Sequence, residues 1–145
     1  MLFHDLSTDP ARDVRFDLDR VVDFDGETGP YLQYAHTRCL GIQRKAGERR
    51  APRTAPIGHP AEIAVVKALG MLPLQLERAL RFSKASQLAT YLIDVTRAFN
   101  AFYRDCKVLG GEPGVTEARL RLVEATRRVL GRGMALLGIP RPERM

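Results

Sequence analysis

Tyr31, Tyr34 and Arg38 fall at i, i+3 and i+7 in the run Gly26-Glu27-Thr28-Gly29-Pro30-Tyr31-Leu32-Gln33-Tyr34-Ala35-His36-Thr37-Arg38. On a helix that spacing sets them along one stripe. Two aromatic planes and a guanidinium are what splayed-out single-stranded bases require: rings to stack on, and a cation for phosphates or base edges. The competing reading of the same residues is an amphipathic helix whose tyrosines sit at the core boundary. Gln33 and His36 lie beside the stripe. As polar groups on a binding face they would position phosphates; otherwise they serve solvent contact or helix packing.

The element that must hold these residues is legible around them. Thr28 is a helix-capping residue type, and Pro30 falls in the first turn, where a missing N–H costs nothing. Leu32, Ala35, Cys39 and Ile42 form a neighbouring small, apolar stripe suited to a core. This first helix is expected from about Gly29 to Ala46. The Gly-, Pro- and charge-rich stretch 47–58 reads as a surface loop. Its flanking Arg44, Lys45, Arg49, Arg50 and Arg53 are either a solvated charge run or a phosphate track.

Four further helices follow. The second, about Pro60–Leu69, is expected to turn Ile63, Ala64 and Val66 inward. The third starts at Leu72-Pro73 with Leu72, Leu76, Ala79 and Leu80 facing in. Ser86 is read as the cap of the fourth, whose stripe Leu88, Leu92, Val95, Phe99 and Phe102 runs on to about Cys106. Tyr103 points about 100° away from Phe102. Thr116 is read as the cap of the fifth, with Val115 and Leu120 as a hydrophobic staple and Ala118, Leu122, Ala125 and Val129 as its core face. Gly131 and Gly133 cost that helix about 1 kcal/mol each against alanine, which close helix–helix approach would offset. Gly138, Ile139 and Pro140 form a stop signal. The expected fold class is all-α, a single bundle of about five helices. Residues 1–28 are read as a junction segment, strand-like around Val14–Leu18, and 29–145 as the helical domain.

Composition narrows the function classes. A chain of 145 residues, 45% hydrophobic, has enough length for one core, burying about 70% of its unfolded surface. No apolar stretch approaches the length of a membrane span, and the first residues lack the pattern of a signal peptide. Cys39 and Cys106 read as small buried residues in a reducing setting, so a cytoplasmic location is expected. Net charge is +6, unevenly spread. Residues 1–27 hold eight acids and three bases, and residues 28–145 hold twenty bases and nine acids. A body at +11 is the electrostatic footprint of a polyanion partner. The acidic run Asp17, Asp19, Asp23, Asp25 and Glu27 does not converge on a metal, and the cysteines and three histidines are too few and too scattered for zinc. No metal site and no catalytic residue are expected.

The run 26–38 resembles the start of the C-terminal anticodon-binding domain of arginine–tRNA ligases (arginyl-tRNA synthetases), the all-helical DALR type. The resemblance continues through Asp9-Pro10-Ala11-Arg12-Asp13, Phe16-Asp17-Leu18-Asp19, Ser86-Gln87-Leu88-Ala89-Thr90-Tyr91-Leu92, Ala98-Phe99-Asn100-Ala101-Phe102-Tyr103, Ala118-Arg119-Leu120 and Leu130. It ends with Leu136-Leu137-Gly138-Ile139-Pro140-Arg141-Pro142-Glu143-Arg144-Met145. It implies that Tyr31, Tyr34, Arg38 and Tyr103 bind the anticodon loop, and that the tail folds back to bring Met145 beside it. Arg144 or Arg141 would then balance the terminal carboxylate, unless Arg144 remains a solvated charge. The family's adenylate-forming motifs, His-Ile-Gly-His and Lys-Met-Ser-Lys-Ser, are not in this sequence. The chain is therefore expected to bind arginine tRNA without catalysis of its own and without a cofactor. ATP and magnesium would belong to a parent enzyme, and the partners would be arginine tRNA and a ligase catalytic domain. A monomer is expected. The alternative is a free-standing, non-catalytic module for regulation, protein interaction or generic RNA binding.

Overall fold

Five helices form the framework among the described residues: α1 (Gly29–Ala46), α2 (Pro60–Gly70), α3 (Leu72–Arg81), α4 (Ala85–Asp105) and α5 (Val115–Leu136). The structure, a computed structural model, describes residues 3, 6, 28–47, 56–112 and 114–145. Apart from Phe3, Leu6 and Thr28, the expected junction over 1–28 lies outside the described residues, its strand-like stretch and acidic run included. Residues 48–55 of the surface loop lie outside them too. Among the described residues there is no strand, and the architecture is the all-α bundle the periodicity predicts.

The bundle is organised around α4, which packs against each of the other four helices. Its stripe Leu88, Leu92, Val95, Phe99 and Phe102 is buried as expected. From α1 come Leu32, Ala35, Cys39 and Ile42, also buried. From α5 come Leu122, Val123, Leu130 and Met134. Two glycines set the α5 contacts. A Cβ on Gly133 would stand 2.5 Å from Leu92 Cδ2, and one on Gly131 would stand 3.2 Å from His36 Nε2. Close approach is thus the compensation for two poor helix formers. Both thiols are free and buried; burial pushes Cys39 up to about 12.

Helix α2 differs from the periodicity reading. Ile63, Ala64 and Val66 face outward, while Val65 and Glu62 are buried and Ala61, Ala68 and Leu69 are partly covered. The cause is Glu62. Its Oε2 accepts the N–H groups of Gly58 and His59, both at 3.0 Å, closing a capping box with His59. Its Oε1 pairs with Arg119 Nε at 2.6 Å, and Arg119 also donates to the Lys107 carbonyl at 2.8 Å. Drawing that carboxylate inward rotates the β-branched residues out. Burial pushes the Glu62 carboxyl up, but the Arg119 bond and the two N–H groups outweigh it, and the net shift is down. At the other end of α2, Tyr91 donates its hydroxyl to the Ala68 carbonyl at 3.0 Å.

Three smaller expectations are corrected. Leu80 is 80% exposed, although Leu72, Leu76 and Ala79 do pack inward. Ser86 lies inside the first turn of α4, whose N-cap is Lys84. Thr116 is buried inside the first turn of α5, whose N-cap is Gly114 at φ 61°.

Candidate nucleic-acid interface

Helix α1 begins where the sequence places it. The Thr28 hydroxyl accepts the Tyr31 N–H at 3.3 Å, and Pro30 occupies the first turn. Residues step by about 100° around the axis, so with Leu32, Ala35, Cys39 and Ile42 inward, Tyr34 and Arg38 emerge on one flank, one turn apart. Helix α4 supplies the opposite wall. Phe99 is fully buried, and Tyr103, one turn on, stacks against it with ring centroids 6.3 Å apart and planes at 27°.

The Arg38 guanidinium lies between the two exposed tyrosines. Its Cζ is 4.5 Å from the Tyr34 ring centroid and 4.6 Å from that of Tyr103. Its Nη1 donates to Asn100 Oδ1 at 3.2 Å. Two cation–π contacts and a hydrogen bond thus hold both rings in fixed orientation, each with 42% of its residue surface in solvent. The groove they open has a volume of about 730 Å³.

The chain end forms the third wall. Helix α5 stops in a Schellman motif: Gly138, at φ 70°, donates to the Ala135 carbonyl, and Ile139 donates to the Met134 carbonyl at 2.8 Å. Ile139 is buried, which turns the tail back onto α1. There Gln33 Nε2 donates to the Pro140 carbonyl at 2.9 Å, and Arg44 Nη1 to the Glu143 carbonyl at 3.2 Å. Arg141 Nη1 reaches the Gly131 carbonyl at 3.5 Å. Arg144 and Met145 consequently line the groove with Tyr34, Arg38 and Tyr103. Arg44, Lys45 and Lys107 also line it, and among the described residues no acidic side chain does. An aromatic slot ringed by cations can stack unpaired bases and hold their phosphates.

The structure therefore brings five of the eight candidate residues together. Tyr31 is not among them. It leans about 60° around α1 from Tyr34 toward the core and packs half-buried at the core edge. Gln33 holds the tail rather than facing the groove. His36 is buried, 6% exposed, against Gly131 of α5. Burial lowers its pKa, with the nearby Arg127 and Arg141 adding to the shift and the Pro142 backbone opposing it. Two contributors were missed as site residues. Asn100 carries its signal in its place one turn before Tyr103 on α4. Lys107 lies just past the helix end, where nothing in the local pattern marks it.

The assembly is an all-α helical domain with an aromatic and cationic groove. Residues 32–145 match the DALR anticodon binding domain, and the chain belongs to that family. It is 44% identical over 144 residues to an arginine–tRNA ligase of Frankia casuarinae and 44% identical over 151 residues to one of Streptomyces coelicolor. Each match takes in 99% of this chain but only 24% and 25% of the relative, so the chain spans about a quarter of their length. Among solved structures, Thermus thermophilus arginyl-tRNA synthetase superposes with a TM-score of 0.91 at 36% identity, over 99% of this chain and 26% of that one. The Plasmodium falciparum arginyl-tRNA synthetase gives 0.87 at 28% identity, with the same coverage. Among the described residues no helix is long and apolar enough to cross a membrane.

Proposed function

We propose that the groove between α1, α4 and the tail binds the anticodon loop of arginine tRNA, with Tyr34 and Tyr103 as stacking platforms. Arg38, Arg144 and Met145 close the slot around a stacked base. The observation that carries this reading is the convergence of Tyr34, Arg38, Tyr103 and the strapped tail on one groove that no acidic side chain lines among the described residues. Tyr31 acts as a supporting ring at the core edge. Gln33 acts by fixing the tail.

The role is that of a binding domain in arginyl-tRNA aminoacylation. Catalysis, with ATP and magnesium, belongs to a ligase catalytic domain as partner, since neither adenylate-forming motif occurs in these 145 residues. Apolar side chains left in solvent on α2 and just past α3, Ile63, Val66 and Phe82 among them, supply surface for contact with such a partner. We further propose a monomer working in the cytoplasm.

Arginine anticodons mostly share a central cytosine, so a groove of this kind has a base to read. Titration of matched and centre-substituted anticodon stem-loops at one fixed salt concentration tests the reading. Substitution should weaken binding by at least about 1 kcal/mol, the worth of a single hydrogen bond. Deleting Arg144 and Met145 should reduce that discrimination without unfolding the chain, because both lie beyond the helix stop. Equal affinity for the two stem-loops would leave only generic RNA binding. No binding at all would favour the protein-interaction alternative.

A further inference from the structure

A second cleft, of about 390 Å³, opens on the other flank of α1, where α1 meets α5. His36 of α1, Arg127, Arg128 and Arg132 of α5, and Arg141 and Glu143 of the tail line it. Four guanidiniums face one carboxylate. Arg128 is paired with Glu124, and Arg141 leans on the Gly131 carbonyl. Neither Arg127 nor Arg132 has an acidic partner among the described residues. Two buried polar atoms of the cleft, Arg127 Nε and His36 Nδ1, have no hydrogen-bond partner there either. Arg127 Nε is a donor, leaving it unmade is costly, and an anion supplying acceptor oxygens would remove that cost. The pKa of His36 is lowered first by burial, and the charges of Arg127 and Arg141 add to the shift.

The cleft and the groove are neighbours. Around α1, Gln33 and Arg44 form the outer stripe that carries the tail. Tyr34 and Arg38 lie on one side of it and His36 on the other. The tail is thus a ridge between two openings. Arg44, which holds the Glu143 carbonyl, lines the groove, while Glu143 itself lines the cleft. A nucleic-acid backbone leaving the groove over this ridge meets the unpartnered arginines within about one helix diameter, 10–12 Å.

We propose that this cleft is a second phosphate site. It holds backbone phosphate of the same RNA strand whose bases occupy the Tyr34–Arg38–Tyr103 groove. The proposal rests on the groove reading above and assigns Arg127 and Arg132 a positioning role in it. Phosphate contacts fix register and add affinity but carry no base information.

The test is the salt dependence of stem-loop binding for the full chain and for Arg127→Ala and Arg132→Ala. Circular dichroism should confirm that helicity is kept, and Arg132, being exposed, is the variant least able to disturb the fold. Each variant should flatten the slope of log affinity against log salt by about 0.7–0.9 for every phosphate it no longer neutralises. Discrimination of the central anticodon base should stay at the wild-type level. A wild-type slope in both variants, with wild-type binding intact, overturns the cleft site alone; failure of the wild-type chain to bind any stem-loop overturns the groove reading beneath it. Inorganic phosphate, titrated separately, distinguishes the two sources of the anion. If the variants lose phosphate binding while their stem-loop slope is unchanged, the cleft is a free-anion site and the proposal falls.

Discussion

Replacing Arg38 separates charge from shape in the groove. The guanidinium touches the Tyr34 and Tyr103 rings at 4.5 and 4.6 Å and donates to Asn100. Each cation–π contact at a partly exposed site contributes about 0.5–1 kcal/mol, so the pair contributes about 1–2 kcal/mol. The bond to Asn100 adds about 1 kcal/mol. Freeing a long side chain returns up to about 2 kcal/mol of rotamer entropy, of which a side chain already half in solvent recovers only part. Arg38→Ala should therefore cost about 1–2 kcal/mol of stability, a fall in melting temperature of roughly 3–8 °C. Arg38→Lys is the sharper variant. It keeps the charge but not the planar fork that stacks on two rings and reaches Asn100. Its salt slope for stem-loop binding should match wild type, while its melting temperature and stem-loop affinity should both fall toward those of Arg38→Ala. Thermal melts by circular dichroism and stem-loop titrations at several salt concentrations read both quantities. An Arg38→Lys chain equal to wild type in both would show that the groove works as a cloud of charge, and the argument from ring geometry would be wrong.

Three further outcomes follow from the packing. Glu62→Ala leaves the Arg119 side chain, 17% exposed, without its carboxylate, and should cost about 3 kcal/mol in urea unfolding, as removal of one partner of a buried pair does; a cost below about 1 kcal/mol would show that the pair is not structural. The carboxyl of Glu62 titrates lower in the folded chain, so its stabilisation is complete above the unfolded value of about 4.3 and is lost as pH falls through the folded value. The imidazole of His36 is also shifted down. The unfolded chain takes up that proton first, and stability should already decline as pH drops below about 6.5. Unfolding curves from pH 8 to pH 3 should show the early decline vanish in His36→Gln and the late one vanish in Glu62→Gln. Gly133→Ala gains about 1 kcal/mol of helix propensity but drives a methyl against Leu92 Cδ2 at 2.5 Å. Overpacking of about 1–3 kcal/mol should win, giving a lower melting temperature, and the same change made in a Leu92→Ala chain should lower it less than in the wild type.

How far the sequence revealed the fold depended on how lopsided each helix is. In α4 the five residues that periodicity placed inward, Leu88, Leu92, Val95, Phe99 and Phe102, are all buried, and Ala89, Tyr91, Ile93 and Thr96 are buried beside them. In α2 apolar residues occupy every side, from Ala61 round to Leu69, so no period selects a face. What selects it is Glu62, through a partner 57 residues away, and a charged residue is the last that local patterning would send inward. The two misplaced caps have a milder cause. Ser86 and Thr116 are capping residue types lying one or two positions inside helices that begin at Ala85 and Val115. Local chemistry marks such an end only to within a residue or two.

The site divides along the same line between local and distant. Tyr34 and Arg38 share one helix and one flank, so their spacing alone put them together. Tyr31 has the same chemistry, but its position, about 60° nearer the core stripe, spends its ring on packing. The remaining walls come from far along the chain: Asn100 from 62 residues beyond Arg38, and the tail held by bonds spanning 107 and 99 residues. No spacing rule reaches such distances, yet the tail was still legible at its origin. Gly138 and Ile139 announce a Schellman stop, and a buried residue just after that stop forces the chain to turn back over the bundle. Once it turns back, its path is set by Gln33 and Arg44, two polar residues three helical turns apart on the outer stripe of α1. The groove therefore depends on a helix ending at the right residue as much as on the aromatic rings that line it.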